Sequence, residues 1–137
     1  IDPSLETTPI GKGRLINKGN SPKLVLNFGA LINTAKEVAK NLDATLLDMR
    51  FVKPLDEELL KLHATNKEMI ITIEDGAMSG GAGSAVSEWT QLQKISIQVL
   101  ICGIPDQFIE HASREEMLEM AELDTESILA KVKNYLA

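Results

Sequence analysis

The sequence predicts an α/β domain of three layers, α/β/α, built on a mostly parallel sheet of about five strands. Two observations carry this. Short apolar runs recur at Leu24–Phe28, Ala44–Phe51, Met69–Ile73 and Ile95–Cys102. Between them lie segments whose apolar residues repeat at helical spacing, so strand and helix alternate as they do when a sheet is covered on both faces.

Residues 1–22 read as a linker carrying at most one strand. Pro3, Pro9, Gly11, Gly13, Gly19 and Pro22 punctuate a stretch thin in apolar residues. Lys12–Lys18 is the candidate edge strand, its charges blunting the edge. The α/β domain proper is assigned to residues 23–137. Its first strand stops at Gly29, and Leu31, Ala35, Val38, Ala39 and Leu42 set the face of the helix that follows. Pro54 ends the second strand. Asp56 caps the next helix, with Glu57 and Glu58 in the first turn, where carboxylates suit the helix dipole.

Met69–Ile73 is the strongest strand signal. A glycine-rich turn after it leads to a helix over about Ala82–Gln93, on which Trp89 is expected to pack inward. The fourth strand closes at Gly103-Ile104-Pro105-Asp106. Ser113-Arg114-Glu115-Glu116 is a capping box, and Met117 and Met120 on its helix are expected to fill core space. Asp124 caps the last helix, whose inner face is Ile128, Leu129, Val132, Tyr135 and Leu136.

Composition excludes several classes of function. The 137 residues carry a net charge of −6 with no basic cluster, which argues against nucleic acid as a partner. No apolar run approaches the roughly 20 residues that span a bilayer. The N-terminus shows neither the basic start nor the apolar block of a secretory or transit segment. Cys102 is the only cysteine, so a disulfide within the chain and a thiolate metal site are excluded; within a β-like run it reads as a buried, inert thiol. The chain opens Ile1-Asp2-Pro3 without an initiator Met, as expected of a processed or excised piece.

In an open α/β sheet, function gathers outside the carboxyl ends of the strands. That edge collects Asn27, Gly29, Asp48, Arg50, Glu74, Asp75, Gly103 and Asp106. Three chemistries compete there. Gly80-Gly81-Ala82-Gly83-Ser84 precedes a helix and offers an anion cradle. Its spacing is not Gly-x-Gly-x-x-Gly, no Lys follows, and Glu74 and Asp75 upstream would repel an anion; the alternative is a tight turn and close packing of helix on sheet. Glu74 with Asp75 or Asp48 offers acid/base catalysis, but neighbours at a strand end point to opposite sides. The alternative there is one carboxylate paired with Arg50 and the other capping a turn. His63 and His111 lie far apart with no second ligand at metal spacing. The loop Pro105–Ala112 carries Phe108 and Ile109, which suits either docking or folding back on the core.

The run Asp48-Met49-Arg50-Phe51-Val52-Lys53-Pro54-Leu55-Asp56, with Glu74-Asp75-Gly76-Ala77-Met78-Ser79-Gly80-Gly81-Ala82-Gly83-Ser84, resembles the C-terminal domain of the transketolase superfamily. Within that superfamily it is similar to the 1-deoxy-D-xylulose-5-phosphate synthases. Pro9-Ile10-Gly11-Lys12-Gly13, Leu26-Asn27-Phe28-Gly29 and Gly103-Ile104-Pro105-Asp106 extend the resemblance over nearly the whole chain.

The resemblance implies a parent enzyme that decarboxylates pyruvate on thiamin diphosphate, usually with magnesium. The carbanion adds to glyceraldehyde 3-phosphate, giving 1-deoxy-D-xylulose 5-phosphate and carbon dioxide, for isoprenoid, thiamin and pyridoxal synthesis. It implies that the cofactor and metal sit in the N-terminal and central domains, so no catalytic, cofactor or metal residue carries over to this chain. This domain would then support those two domains and a homodimer, in a bacterial cytoplasm or plastid stroma. The candidate interface is Arg50, Glu74, Asp75, Met78, Gly80, Gly81, Gly83 and Phe108. Gly76 stands where many relatives have Asn, which loosens that turn. Two other functions remain open: a partner-docking domain of a related thiamin-diphosphate dehydrogenase of the E1 type, and a free-standing domain that binds small anions.

Overall fold

A computed structural model describes residues 7–137. The strands are β1 (Arg14–Asn17), β2 (Lys23–Phe28), β3 (Thr45–Asp48), β4 (Met69–Ala77) and β5 (Gln98–Ile104). The helices are α1 (Ile32–Asn41), α2 (Glu57–Ala64), α3 (Ala82–Leu92), α4 (Arg114–Met120) and α5 (Thr125–Leu136). The sheet order is β1-β3-β2-β4-β5. Only β1 runs antiparallel, and the other pairings are parallel.

The apolar strands divide their side chains between two cores. Val25, Leu46, Ile71, Ile73 and Cys102 face Ala35, Val38, Ile128 and Val132 of α1 and α5. Leu24, Leu26, Leu47 and Ile70 face Leu60 of α2 and Val86 and Trp89 of α3. Both faces of the central strands are thus dry, which is why their sequences are continuously apolar.

The edge strand expected in the first 22 residues is β1, and its segment is fastened to β3. Arg14 pairs with Asp48, the Gly19 N–H donates to Thr45 Oγ1 at 3.2 Å, and the Ser21 N–H donates to the Asp43 carbonyl at 2.9 Å. Asp56 caps α2 as expected, accepting from Leu59 N–H, and also accepts from Gly13 N–H at 3.0 Å. The capping box at Ser113 and the Asp124 cap form as the sequence predicts.

Several boundaries move, each for a local reason. β3 is shorter than Ala44–Phe51 because Arg50 takes a left-handed backbone, φ 61°, which turns the chain out of the strand. β4 runs on through Glu74 to Ala77, past the expected turn, with an irregular register against β5 after Ile73. The start of the fourth strand shifts from Ile95 to Gln98. Lys94 is left-handed at φ 54°, and Ile95 N–H donates to the Thr90 carbonyl, closing α3. On α5 only Ile128 and Val132 are buried; Tyr135 and Leu136 lie on a last turn beyond the core and are exposed. Met120 is likewise exposed, and Met117 lines a surface groove instead of filling the core.

Helix α3 lies against the sheet through Gly83. A Cβ there would stand 2.5 Å from Ile101 Cγ2 and 2.7 Å from Thr72 Oγ1, closer than non-bonded atoms approach. Gly83→Ala is therefore expected to lower unfolding free energy by about 1–3 kcal/mol in urea denaturation. An unchanged midpoint would mean that α3 can lift off the sheet at no cost.

Candidate functional site

Strand order reverses beside β2. Its crossover through α1 leads to β3 on one side, and α2 returns the chain to β4 on the other. The crevice at such a reversal lies outside the carboxyl ends of β2 and β4. The Asn27–Ala30 and Glu74–Ala77 segments meet there, as the sequence places them.

Glu74 is 3% exposed. Its carboxylate accepts from Ala82 N–H at 2.6 Å and Gly83 N–H at 3.0 Å, the first amides of α3. The N-cap itself is Gly81, which has no side chain to cap with. The cap therefore comes from the neighbouring strand, and it places negative charge at the positive end of the helix dipole. Glycine at 81 is what admits it, because a Cβ would collide with the Ala77 carbonyl and the Glu74 carboxylate. Gly103 clears the other side, where a Cβ would stand 2.9 Å from Glu74 Cγ. The anion in the glycine cradle is thus the chain's own. Gly80 N–H is also engaged, donating to Ser84 Oγ at 3.1 Å.

Asp75 turns the other way and accepts from Ala30 N–H at 2.8 Å. Gly29, at φ 87°, leaves room for that carboxylate, which would collide with a Cβ at 29. Asp48 is buried between Asn27 Nδ2 at 3.1 Å, Arg14 Nε at 3.1 Å and Arg50 Nε at 3.7 Å. The Arg50 partner is therefore Asp48, and the capping carboxylates are Glu74 and Asp75. No two of the three form a facing acid/base pair: Glu74 and Asp75 diverge, and Asp48 is spent on its cations.

Above this edge opens a groove of about 850 Å³. Leu31, Ile104, Ile109, Met117 and Leu118 are among its lining residues, and Asp75, Asp106 and Arg114 are the charged ones. Ile109 packs against the core, whereas Phe108 is fully exposed at the rim. Within the Pro105–Ala112 loop, Ile109 folds back onto the core, and Phe108 stays outside. Sequence reasoning missed the groove because its wall comes from α4, whose Met117 reads as core by periodicity. Of the candidate interface residues, Glu74 and Gly83 are buried and act from beneath. Arg50, Asp75, Met78, Gly80 and Phe108 keep surface, and Gly81 is half-buried.

His63 lies on α2 and His111 in the α4-side loop, so the fold does not bring them together. Burial first, then the charges of Lys18 and Lys67, hold His63 below the ordinary imidazole value. Burial pushes the Cys102 thiol up to about 11. Among the described residues no three His, Cys, Asp or Glu side chains lie together as a metal site, and no helix is long and apolar enough to cross a membrane.

The family described as "Transketolase, C-terminal domain" matches residues 11–128. The chain belongs to that family. Curated relatives named 1-deoxy-D-xylulose-5-phosphate synthase align with nearly the whole of this chain. That of Nitrosococcus oceani is 47% identical over the whole chain. That of Thioalkalivibrio sulfidiphilus is 49% identical over 97% of it. The chain spans about a fifth (21%) of the length of each. A solved structure, "Split gene transketolase, inactive beta4 tetramer", superposes with a TM-score of 0.84 at 29% identity, over 98% of this chain and 45% of that one. The transketolase C-terminal fold read from the sequence is thus the fold observed.

Two outcomes check the geometry of this transketolase C-terminal domain. Glu74→Ala orphans two buried amides and is expected to cost about 2–4 kcal/mol in denaturant unfolding, with Glu74→Gln costing less. A thiol with a pKa of about 11 stays protonated at pH 8. Iodoacetamide should then label Cys102 only as fast as the protein unfolds; rapid labelling of the native chain would refute its burial.

Proposed function

We propose that this chain is the C-terminal, non-catalytic assembly domain of a 1-deoxy-D-xylulose-5-phosphate synthase. The parent would condense pyruvate with glyceraldehyde 3-phosphate as a homodimer, in the cytoplasm or plastid stroma. The observation that carries the reading is the state of the carboxyl edge. Glu74, Asp75 and Asp48 each spend their carboxylates on groups of the chain itself. What faces outward is a largely apolar groove with Phe108 at its rim. Such a surface suits docking against another domain, and the N-terminal and central domains of the same enzyme are the occupants proposed.

Thiamin diphosphate and Mg²⁺ would belong to those other domains. The residues of this chain do not fit them. The amide pair that would receive a phosphate is filled by Glu74, and the carboxylates at the edge are dispersed among separate partners, so no step of the reaction is assigned here.

Deleting this domain from a full-length synthase is expected to dissociate the dimer in light scattering. Turnover should fall roughly a hundredfold or more, the scale of loss when a site is misassembled from afar. The isolated chain should neither turn over the substrates nor bind thiamin diphosphate in calorimetry. A truncated synthase that stays dimeric at full rate would sink the assembly role, and cofactor binding by the isolated chain would sink the non-catalytic one.

A further inference from the structure

Among the described residues, five other than glycine have left-handed backbones: Asp43, Arg50, Asn66, Lys94 and Glu122. Four of them lie two residues past the end of a helix, where that conformation is a usual way to stop. Arg50 follows a strand instead. It is the centre of a three-residue turn in which Phe51 N–H donates to the Met49 carbonyl at 2.6 Å. Such a turn with a left-handed centre is strained, and glycine or asparagine would adopt it at less cost. What arginine adds at this position is its side chain.

That side chain is held close and left incomplete. It is only 26% exposed, and its Nε stands 3.7 Å from Asp48 Oδ2, an ion pair too long for a hydrogen bond. Asp48 is already engaged: Arg14 Nε donates to Oδ2 at 3.1 Å and Asn27 Nδ2 to Oδ1 at 3.1 Å. Among the described residues no other carboxylate lies within reach of the Arg50 guanidinium. Two guanidiniums thus share one carboxylate, and one positive charge is unmatched in a half-buried setting. A single further carboxylate matches it, received through the two parallel bonds that a planar guanidinium fork offers. A phosphate would bring a second negative charge up against Asp48.

The N-terminal segment passes directly over this cluster. A Cβ at Gly13 would stand 3.0 Å from the Asp48 carbonyl oxygen and 3.2 Å from Met49 Cα, and one at Gly11 would stand 2.7 Å from Pro54 Cγ. Ile10 and Val52 beside it are exposed, and Phe51 is half-buried. We propose that Arg50, together with Arg14, receives the carboxylate of an Asp or Glu on the domain that precedes this one in the parent synthase. The tether selects that occupant. A domain joined through the segment that crosses Asp48 is held beside Arg50 at an effective concentration in the millimolar range, far above that of a free partner. The apolar residues in the same two segments fit the same occupant, since a guanidinium among apolar neighbours has the composition of a protein-binding hot spot. The inference rests on the assembly reading above and adds to it one contact of stated chemistry, apart from the groove.

Full-length synthase carrying Arg50→Lys tests it. A water-soluble carbodiimide joins an amine to a carboxylate in direct contact with it. Peptide mass spectrometry is expected to find the introduced amine coupled to an Asp or Glu of the preceding domain. Coupling to Asp48 alone, to a second copy of the chain, or to nothing overturns the proposal. Asparagine takes the left-handed turn readily, so Arg50→Asn separates binding from folding. In the 137-residue chain this variant should leave the thermal midpoint unchanged or higher. In the full-length synthase it should let subtilisin cut the segment joining the two domains about tenfold faster, the scale of one lost charge pair. A lowered midpoint with unchanged cleavage would make Arg50 a residue of the fold alone and overturn the contact. The domain deletion reads the assembly role separately: a dimer lost on deletion, with no cross-link, keeps that role and removes this contact.

Discussion

The Glu74 carboxylate, held by the first amides of α3, is the contact on which the carboxyl edge of this domain depends. It joins β4 to the start of α3 through two charge-assisted bonds in a dry setting, where an unpaired carboxylate would be costly. Three glycines are arranged around it or because of it. Gly81 gives the carboxylate entry, Gly103 clears its stem, and Gly83 lets the helix it anchors settle onto Ile101 and Thr72. A motif that resembles a ligand cradle is here a closed joint.

Closing that joint has a consequence for the rest of the edge. Strand order reverses beside β2, and a fold of this kind ordinarily offers its crevice at that point to a small molecule. In this chain Asp75 is turned onto the Ala30 amide and Asp48 onto Asn27, Arg14 and Arg50. The polar groups stabilise the chain's own turns, and the apolar walls contributed by α4 and the loop before it are left facing outward. A rigid edge with an apolar groove suits contact with folded protein better than it suits chemistry.

The two ends of the sheet complete the same logic. One edge is sealed by β1, which draws the N-terminal segment onto β3 and ties Arg14 to Asp48. The opposite edge is left open along an uncharged strand. The polar edge is thus internally satisfied, and the surfaces left open are apolar or strand-like, which is the pattern on which the proposed assembly role rests.

The sequence by itself determined the alternation of strands and helices, the caps at Asp56, Ser113 and Asp124, the burial of Cys102 and the membership of a transketolase C-terminal family. All of these rest on local patterns: apolar runs, helical spacing, and side chains that reach only three residues along. What it left undecided depends on residues far apart in the chain. Nothing local says that Glu74 would cap a helix eight residues on instead of repelling an anion there, because that outcome depends on where α3 lands on the sheet. Arg50 and Lys94 read as ordinary residues, yet their left-handed backbones cut β3 short and delay β5. Tyr135 and Leu136 keep the helical period of α5 but extend past the core, and periodicity carries no information about where a neighbour ends. Met117 lines a groove with Ile104 and Leu118 instead of filling the core, and its spacing along α4 does not say which surface it will meet. The tertiary structure decided these points, since each is a question of which distant surface meets which.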